Sequence, residues 1–158
     1  MTIILRKTTA DDLDFVLDAE RHPDNALFVY QWSKIEHQCA LDNKNICHFV
    51  VVNNDNLVGY VILDQVEDAS ASINLRRLVI TDKKLGIATE VLKQIKQMAF
   101  VSLNAHRLWL DVFTDNLRAY NLYKKSGFRE EGKLIESYLR NGQYVSQYIM
   151  AILQSEYK

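Results

Sequence analysis

Between residues 71 and 103 the apolar period changes from two to about 3.6, and a basic joint containing a glycine separates the two regimes. Ala71, Ile73 and Leu75 fall on one face of a strand, but the apolar phase then slips to Leu78 and Ile80. A slip of one residue marks a β-bulge, because the extra residue turns every later side chain to the other face. Thr81-Asp82-Lys83-Lys84-Leu85 follows. Over residues 86–103 the stripe Ile87, Val91, Ile95, Met98, Ala99 and Ser102 then describes one helical face, with Glu90, Lys93, Lys96 and Gln97 outside it. A bulged strand feeding a long amphipathic helix needs neighbouring strands and a sheet face for the helix to cover, which restricts the chain to mixed α/β architectures.

The remaining segments supply that sheet. Residues 3–7 read as a short strand. Thr9, three residues before Asp12, starts a helix carrying Leu13, Val16, Leu17 and Ala19. His22-Pro23-Asp24-Asn25 ends that helix, since proline lacks the N–H a helix interior needs. A second, weaker helical stretch lies within residues 29–41. Apolar runs at 47–52 and 57–66 flank Asn53-Asn54-Asp55-Asn56 and read as a hairpin. Residues 108–113 form a buried strand, and 116–126 a short helix stopped by Gly127. Two strands, at 129–138 and 143–153, close the chain around Arg140-Asn141-Gly142. The expected order is strand, two helices, three strands, helix, strand, helix, two strands, in one domain over residues 1–158.

Bulk composition removes several classes of function. The 158 residues are 48% hydrophobic, enough for a proper core. With 19 basic against 20 acidic residues there is no broad basic field for a nucleic-acid backbone. No apolar run approaches the roughly 20 residues of a membrane span, and the N-terminus lacks the basic-then-apolar order of a signal peptide. Cys39 and Cys47 read as reduced thiols, and His22, His37, His48 and His106 fit no ligand spacing. The expectation is a soluble cytoplasmic protein without a metal.

Two segments carry chemistry. At the joint 78–88 a strand ends and a helix begins, and the unpaired N–H groups of the first helical turn, with their partial positive charge, suit a phosphate. Gly86 lets main chain approach a ligand, and Lys83 and Lys84 add charge. An ordinary strand-to-helix turn with solvated lysines would read the same way. In the second segment Asn116, Ala119, Tyr120 and Tyr123 share one helical face, with Asn116 and Tyr123 about 10.5 Å apart along the axis. An amide and a phenol on one stripe suit the lining of a groove, or else a cap and a packed tyrosine with its hydroxyl satisfied.

Taken together, Lys83-x-x-Gly86-x-Ala88 and, 28 residues after Ala88, Asn116-x-x-Ala119-x-x-x-Tyr123-x-x-x-Gly127-Phe128 resemble the GNAT superfamily of N-acetyltransferases. The element order is similar to the GNAT fold: a mixed, mostly antiparallel twisted sheet with a bulged central strand and about four helices. The stretch from Gly127 to Leu134, with Asn141 to Tyr144 and Met150, is similar to two subfamilies, one acetylating ribosomal-protein N-termini and the other containing the spermidine acetyltransferases. The resemblance implies acetyl-CoA as cosubstrate. It places the pantetheine arm on the main chain of Leu78, Val79 and Ile80, and the pyrophosphate on Lys83, Lys84, Leu85, Gly86, Ile87, Ala88 and Thr89. Asn116 falls near the thioester end. The family usually has Arg or Gln at the position of Lys83, and often Gly or Arg at that of Leu85.

An alkyl amine is almost fully protonated at neutral pH and must lose a proton before it attacks a thioester. The resemblance makes Tyr123 the acid that protonates the leaving thiolate. The bulged strand holds no carboxylate to serve as base. Asp111, five residues before Asn116, resembles the glutamate at that spacing in ribosomal-protein alanine acetyltransferases, and it alternates with Leu110 and Val112 so as to face away from them. A solvated strand aspartate is the alternative. Glu20, at a helix end, is a candidate for binding the acceptor, with Glu67 and Asp68 as further acids. For a polyamine acceptor, residues 18–42 offer Asp18, Glu20, Asp24, Glu36 and Asp42. The acceptor is thus a small amine or a protein N-terminus, and a homodimer is the commonest closed symmetry. A non-catalytic acyl-CoA sensor on the same fold is the contrasting function, and the presence of both Tyr123 and Asp111 favours the enzyme.

Overall fold

A computed structural model describes residues 1–83 and 86–157; Lys84 and Leu85, both expected in the phosphate cradle, lie outside the described residues. Strand β1 (Ile3–Lys7) runs into a capping box in which the Asp12 carboxylate accepts from the Thr9 N–H at 2.8 Å. Helix α1 (Leu13–Arg21) follows and buries Leu13, Val16, Leu17 and Ala19. Pro23 does more than end it. Proline fits a first helical position, where no N–H is required, and Pro23 opens the single-turn helix α2 (Pro23–Ala26). Helix α3 (Lys34–Leu41) starts at a second capping box, Ser33 with Glu36.

Strands β2 (Ile46–Asn53), β3 (Asn56–Asp64) and β4 (Ser72–Ile80) form an antiparallel meander. Strand β5 (Arg107–Phe113) follows helix α4 (Ile87–Gln97), and β6 (Arg129–Arg140) and β7 (Gln143–Leu153) follow helix α5 (Leu117–Lys125). Asn141 and Gly142, both at positive φ, make the last hairpin turn. The sheet order is β1-β2-β3-β4-β5-β7-β6, and only β4 with β5 is parallel. The mixed, mostly antiparallel sheet is as expected. There are five α-helical segments among the described residues, the extra one being the single turn after Pro23.

The bulge lies where the phase slips. Leu63 faces Leu75 and Ile62 faces Arg77, so Arg76 has no partner on β3. Leu75 and Ile80 consequently join the core under α4, while Val79 joins the smaller core under α1. The long helix departs from expectation at its end. Residues Met98–Ser102 form a π-turn, whose wider coil turns Phe100 into the core and leaves Ser102 exposed. No helix among the described residues is long and apolar enough to cross a membrane.

Candidate active site

Strands β4 and β5 pair only from Ser72 to Asn74 against Arg107 to Trp109. Asn74 marks the fork, its side-chain amide donating to the Trp109 carbonyl at 3.2 Å. Beyond it the strands diverge, and the β5-facing main-chain edge of β4 from Leu75 to Ile80 has no strand partner among the described residues. Unpaired N–H and C=O groups on such an edge can take an extended ligand as an added strand. The gap opens into a cavity of about 460 Å³. Its walls are the end of β4, including Leu78, Val79 and Ile80, and Asp111 to Phe113 of β5; Asn116, Ala119, Leu122 and Tyr123 of α5 and Phe28 to Tyr30 of the loop before α3 complete it.

At one end stand Lys83, Ala88 and the start of α4. Gly86 caps that helix with φ +95°, and a Cβ built there would meet only Met1 Cε, at 3.8 Å. The position therefore requires glycine for its conformation rather than for space. Lys83 Nζ donates to Asn25 Oδ1 at 2.7 Å, and burial lowers its pKa. Ile87 is buried in the core, so its contribution at the helix start is its main chain, and Thr89 is exposed on the first turn. A helix N-terminus beside a lysine and an unpaired strand edge fits a pyrophosphate joined to an extended amide arm.

At the other end Asp111 and Tyr123 approach the gap from opposite faces of the sheet. Leu110 and Val112 pack under α4, so Asp111 points to the α1 side, whereas Tyr123 packs from α5 against the α4 side. Tyr123 is held by the turn that ends its helix. Phe128 N–H bonds back to the Tyr123 carbonyl at 3.0 Å across Gly127, whose φ is +99°, and the two rings meet edge-on at 5.8 Å. The Tyr123 hydroxyl has no hydrogen-bond partner among the described residues. Burial, and next the charge of Asp111, raise its pKa. Asn116 caps α5, its Oδ1 accepting from the Ala119 N–H at 3.3 Å, and also lines the cavity.

Burial likewise raises the pKa of Asp111, against the hydrogen bond from Tyr30 and the charge of Arg76. Asp111 Oδ1 accepts from the Tyr30 hydroxyl at 3.4 Å; Tyr30 in turn accepts from Gln147 Nε2, and Gln147 Oε1 accepts from Ser137 at 2.7 Å. The chain fixes the Gln147 amide and keeps the Tyr30 proton on the Asp111 side. Burial pushes Tyr30 up to about 12, so it remains a donor. Sequence reasoning missed Tyr30 because it lies in a loop without period. It also missed Arg76 and Arg77, although the phase slip marks their position.

Glu20 is not part of this lining. Its side chain has no exposure, and its oxygens accept from His37 Nε2 at 2.5 Å, the Tyr60 hydroxyl at 3.0 Å and the Trp32 N–H at 2.8 Å. A carboxylate so enclosed cannot touch an acceptor; it anchors the packing between α1, α3 and β3. Glu67 and Asp68 likewise stand outside the cavity. Among the described residues no three His, Cys, Asp or Glu side chains group as metal ligands.

Residues 2–129 match the acetyltransferase (GNAT) domain family. The spermidine N(1)-acetyltransferase of Vibrio cholerae is 30% identical over 98% of this chain and 95% of its own. The L-amino acid N-acetyltransferase AaaT of Escherichia coli is 30% identical over 94% of this chain and 96% of its own. Among solved structures, Vibrio cholerae spermidine N-acetyltransferase in complex with CoA and spermine superposes with a TM-score of 0.87 at 27% identity, covering 98% of this chain and 97% of that one.

Proposed function

This chain belongs to the GNAT acetyltransferase family, and from that premise we propose that its β4–β5 gap is the active site, with Asp111 as general base and Tyr123 as general acid. The protein is an N-acetyltransferase that moves an acetyl group from acetyl-CoA to a primary amine. The observation that carries the assignment is the convergence of one carboxylate and one phenol, from opposite faces of the sheet, on a gap bordered by an unpaired strand edge.

Leu78, Val79 and Ile80 present their main chain to the pantetheine arm, and the segment from Lys83 to Thr89, with Lys84 and Leu85 in it, receives the pyrophosphate. Asn116 sits toward the thioester end. Acetyl-CoA supplies an activated acyl group as a thioester. Asp111 takes a proton from the acceptor ammonium, directly or through a water. The freed nitrogen bonds to the acetyl carbon as the carbon–sulfur bond breaks, and Tyr123 gives its proton to the departing sulfur. The second proton that the nitrogen sheds as the amide forms passes through solvent to restore the Tyr123 phenol, and Asp111 returns its own proton to solvent. The two steps assist each other. The Asp111 charge holds the Tyr123 pKa up, so neutralising Asp111 strengthens the acid at the moment the thiolate needs it.

The relatives are named for a polyamine and for amino acids as acceptors. The acceptor here is accordingly a small primary amine, acetylated in the cytoplasm. Self-association through the exposed Ile135, Leu139 and Tyr144 of the β6–β7 hairpin completes the reading. Tyr123→Phe tests it: turnover falls by about 100-fold or more while calorimetric affinity for acetyl-CoA is retained. Undiminished turnover refutes the acid assignment.

A further inference from the structure

The acceptor side of the cavity holds two guanidinium groups beside one carboxylate. Arg76, the unpaired residue of the bulge, is exposed and lines the cavity. Its Nη1 donates to Asp64 at 2.6 Å, leaving Nε and Nη2 without a hydrogen bond among the described residues, and its charge acts on Asp111. The next residue, Arg77, has a side chain 2% exposed and also belongs to the cavity wall. Among the described residues its Nε, Nη1 and Nη2 make no hydrogen bond of good geometry; the Tyr60 hydroxyl and the Glu20 carboxylate, with Oε1 3.8 Å from Nη1, are the groups that act on it. The Trp32 ring lies against both, 5.0 Å from the Arg76 and 4.3 Å from the Arg77 guanidinium carbon. Buried donors without an acceptor are uncommon and costly.

The acids on this face do not balance the pair toward a polycation. Glu20 is enclosed by His37, Tyr60 and Trp32, and Asp64 is engaged by Arg76. Of the acids that residues 18–42 offer to a polyamine, only Asp24 lines the cavity, and it stands at the Lys83 end, where its charge acts on that lysine. Asp111 can take one ammonium. A second or third ammonium would meet guanidinium.

Resting on the reading of this gap as the transfer site, we propose that the acceptor carries a carboxylate next to its amine, as a free α-amino acid does, with Asp111 taking the ammonium and Arg76 binding the carboxylate. Arg77 sets a second fixed positive charge behind Arg76. A planar guanidinium with two unused donor nitrogens matches a carboxylate in shape as well as in charge.

Thiol release from acetyl-CoA by the purified protein, measured with L-amino acids, their carboxamides, their decarboxylated amines and spermidine, tests this. At least one amino acid is expected to exceed its own carboxamide in kcat/KM by roughly 10- to 100-fold, the size of a charge-assisted hydrogen bond. Arg76→Gln brings that ratio toward one by raising KM for the amino acid, and Arg76→Lys falls between. The proposal is overturned if spermidine or a carboxamide equals the best amino acid, or if Arg76→Gln leaves the ratio intact. If none of these amines elicits release, the transferase reading itself is refuted, and the acceptor proposal with it.

Discussion

Asp111 balances opposing influences, and the balance is measurable. Burial raises its pKa while the Tyr30 hydroxyl, Arg76 and Gln147 pull it down, with Tyr123 across the gap sensing the result. With Asp111 as the proposed base the active form is its carboxylate, so kcat/KM is expected to rise with pH through the pKa of Asp111, which lies above that of an ordinary aspartate. Tyr30→Phe removes a donor that favours the charged form, so the acid limb moves to higher pH. A pH–rate profile with an unmoved limb contradicts the contact. That Asp111 and Tyr123 face one gap was legible in the sequence, because strand alternation and helical spacing fix which way a side chain points. Glu20 was misread because a position at a helix end says nothing of what lies over it, and here His37, Tyr60 and Trp32 do. Tyr30 left no trace, since its placement comes from a loop folding against β5 and β7.

The elements are set by local rules except where burial overrides them. The β4 bulge could be read from the phase slip, and the capping box at Thr9 from its spacing. The π-turn after Gln97 could not, because it arises from seating Phe100 in the core at the expense of an unbroken stripe. Pro23 signals a helix boundary but not whether it ends one helix or begins another. The wall of the cavity depends on a close approach of β3 to β4. A Cβ at Gly59 would stand 2.3 Å from the Val79 carbonyl and 2.9 Å from Ile80 Cδ1. Gly59→Ala is therefore expected to destabilise the fold by about 2–3 kcal/mol in urea unfolding, and to weaken acetyl-CoA binding because the displaced backbone belongs to the edge proposed to receive it. Unchanged stability and affinity together would contradict the role given to this edge.

The molecule as a whole is one sheet covered on two sides by unlike cores. The α4 side is apolar. The α1 side holds a buried polar chain: Thr8 Oγ1 lies 2.7 Å from His48 Nδ1, His48 Nε2 lies 3.1 Å from His37 Nδ1, and His37 reaches Glu20. Burial, then the charges of His37 and Arg77, lower the pKa of His48 to about 4, so it is neutral in the folded protein at neutral pH. A histidine depressed on folding gives stability that is present above its unfolded pKa and is lost as pH falls below it. Urea unfolding free energy is expected to drop by about 2 kcal/mol between pH 7 and pH 5 from this group; a flat profile contradicts its burial as neutral imidazole. The mixed, mostly antiparallel sheet followed from the succession of strands and helices, whereas the order of its strands depends on long-range pairing and the polar chain joins Thr8, Glu20, His37 and His48 over distances that no period reports.

The central claim is amine-dependent acetyl transfer in the gap between β4 and β5. Its most direct test is the steady-state release of thiol from acetyl-CoA by the wild-type protein and by Asp111→Asn over a panel of primary amines, with the acetylated product identified by mass. Amine-dependent release by the wild type is expected, with a loss of about 100-fold or more in kcat for Asp111→Asn. No amine-dependent release by the wild type, or undiminished release by the variant, contradicts it.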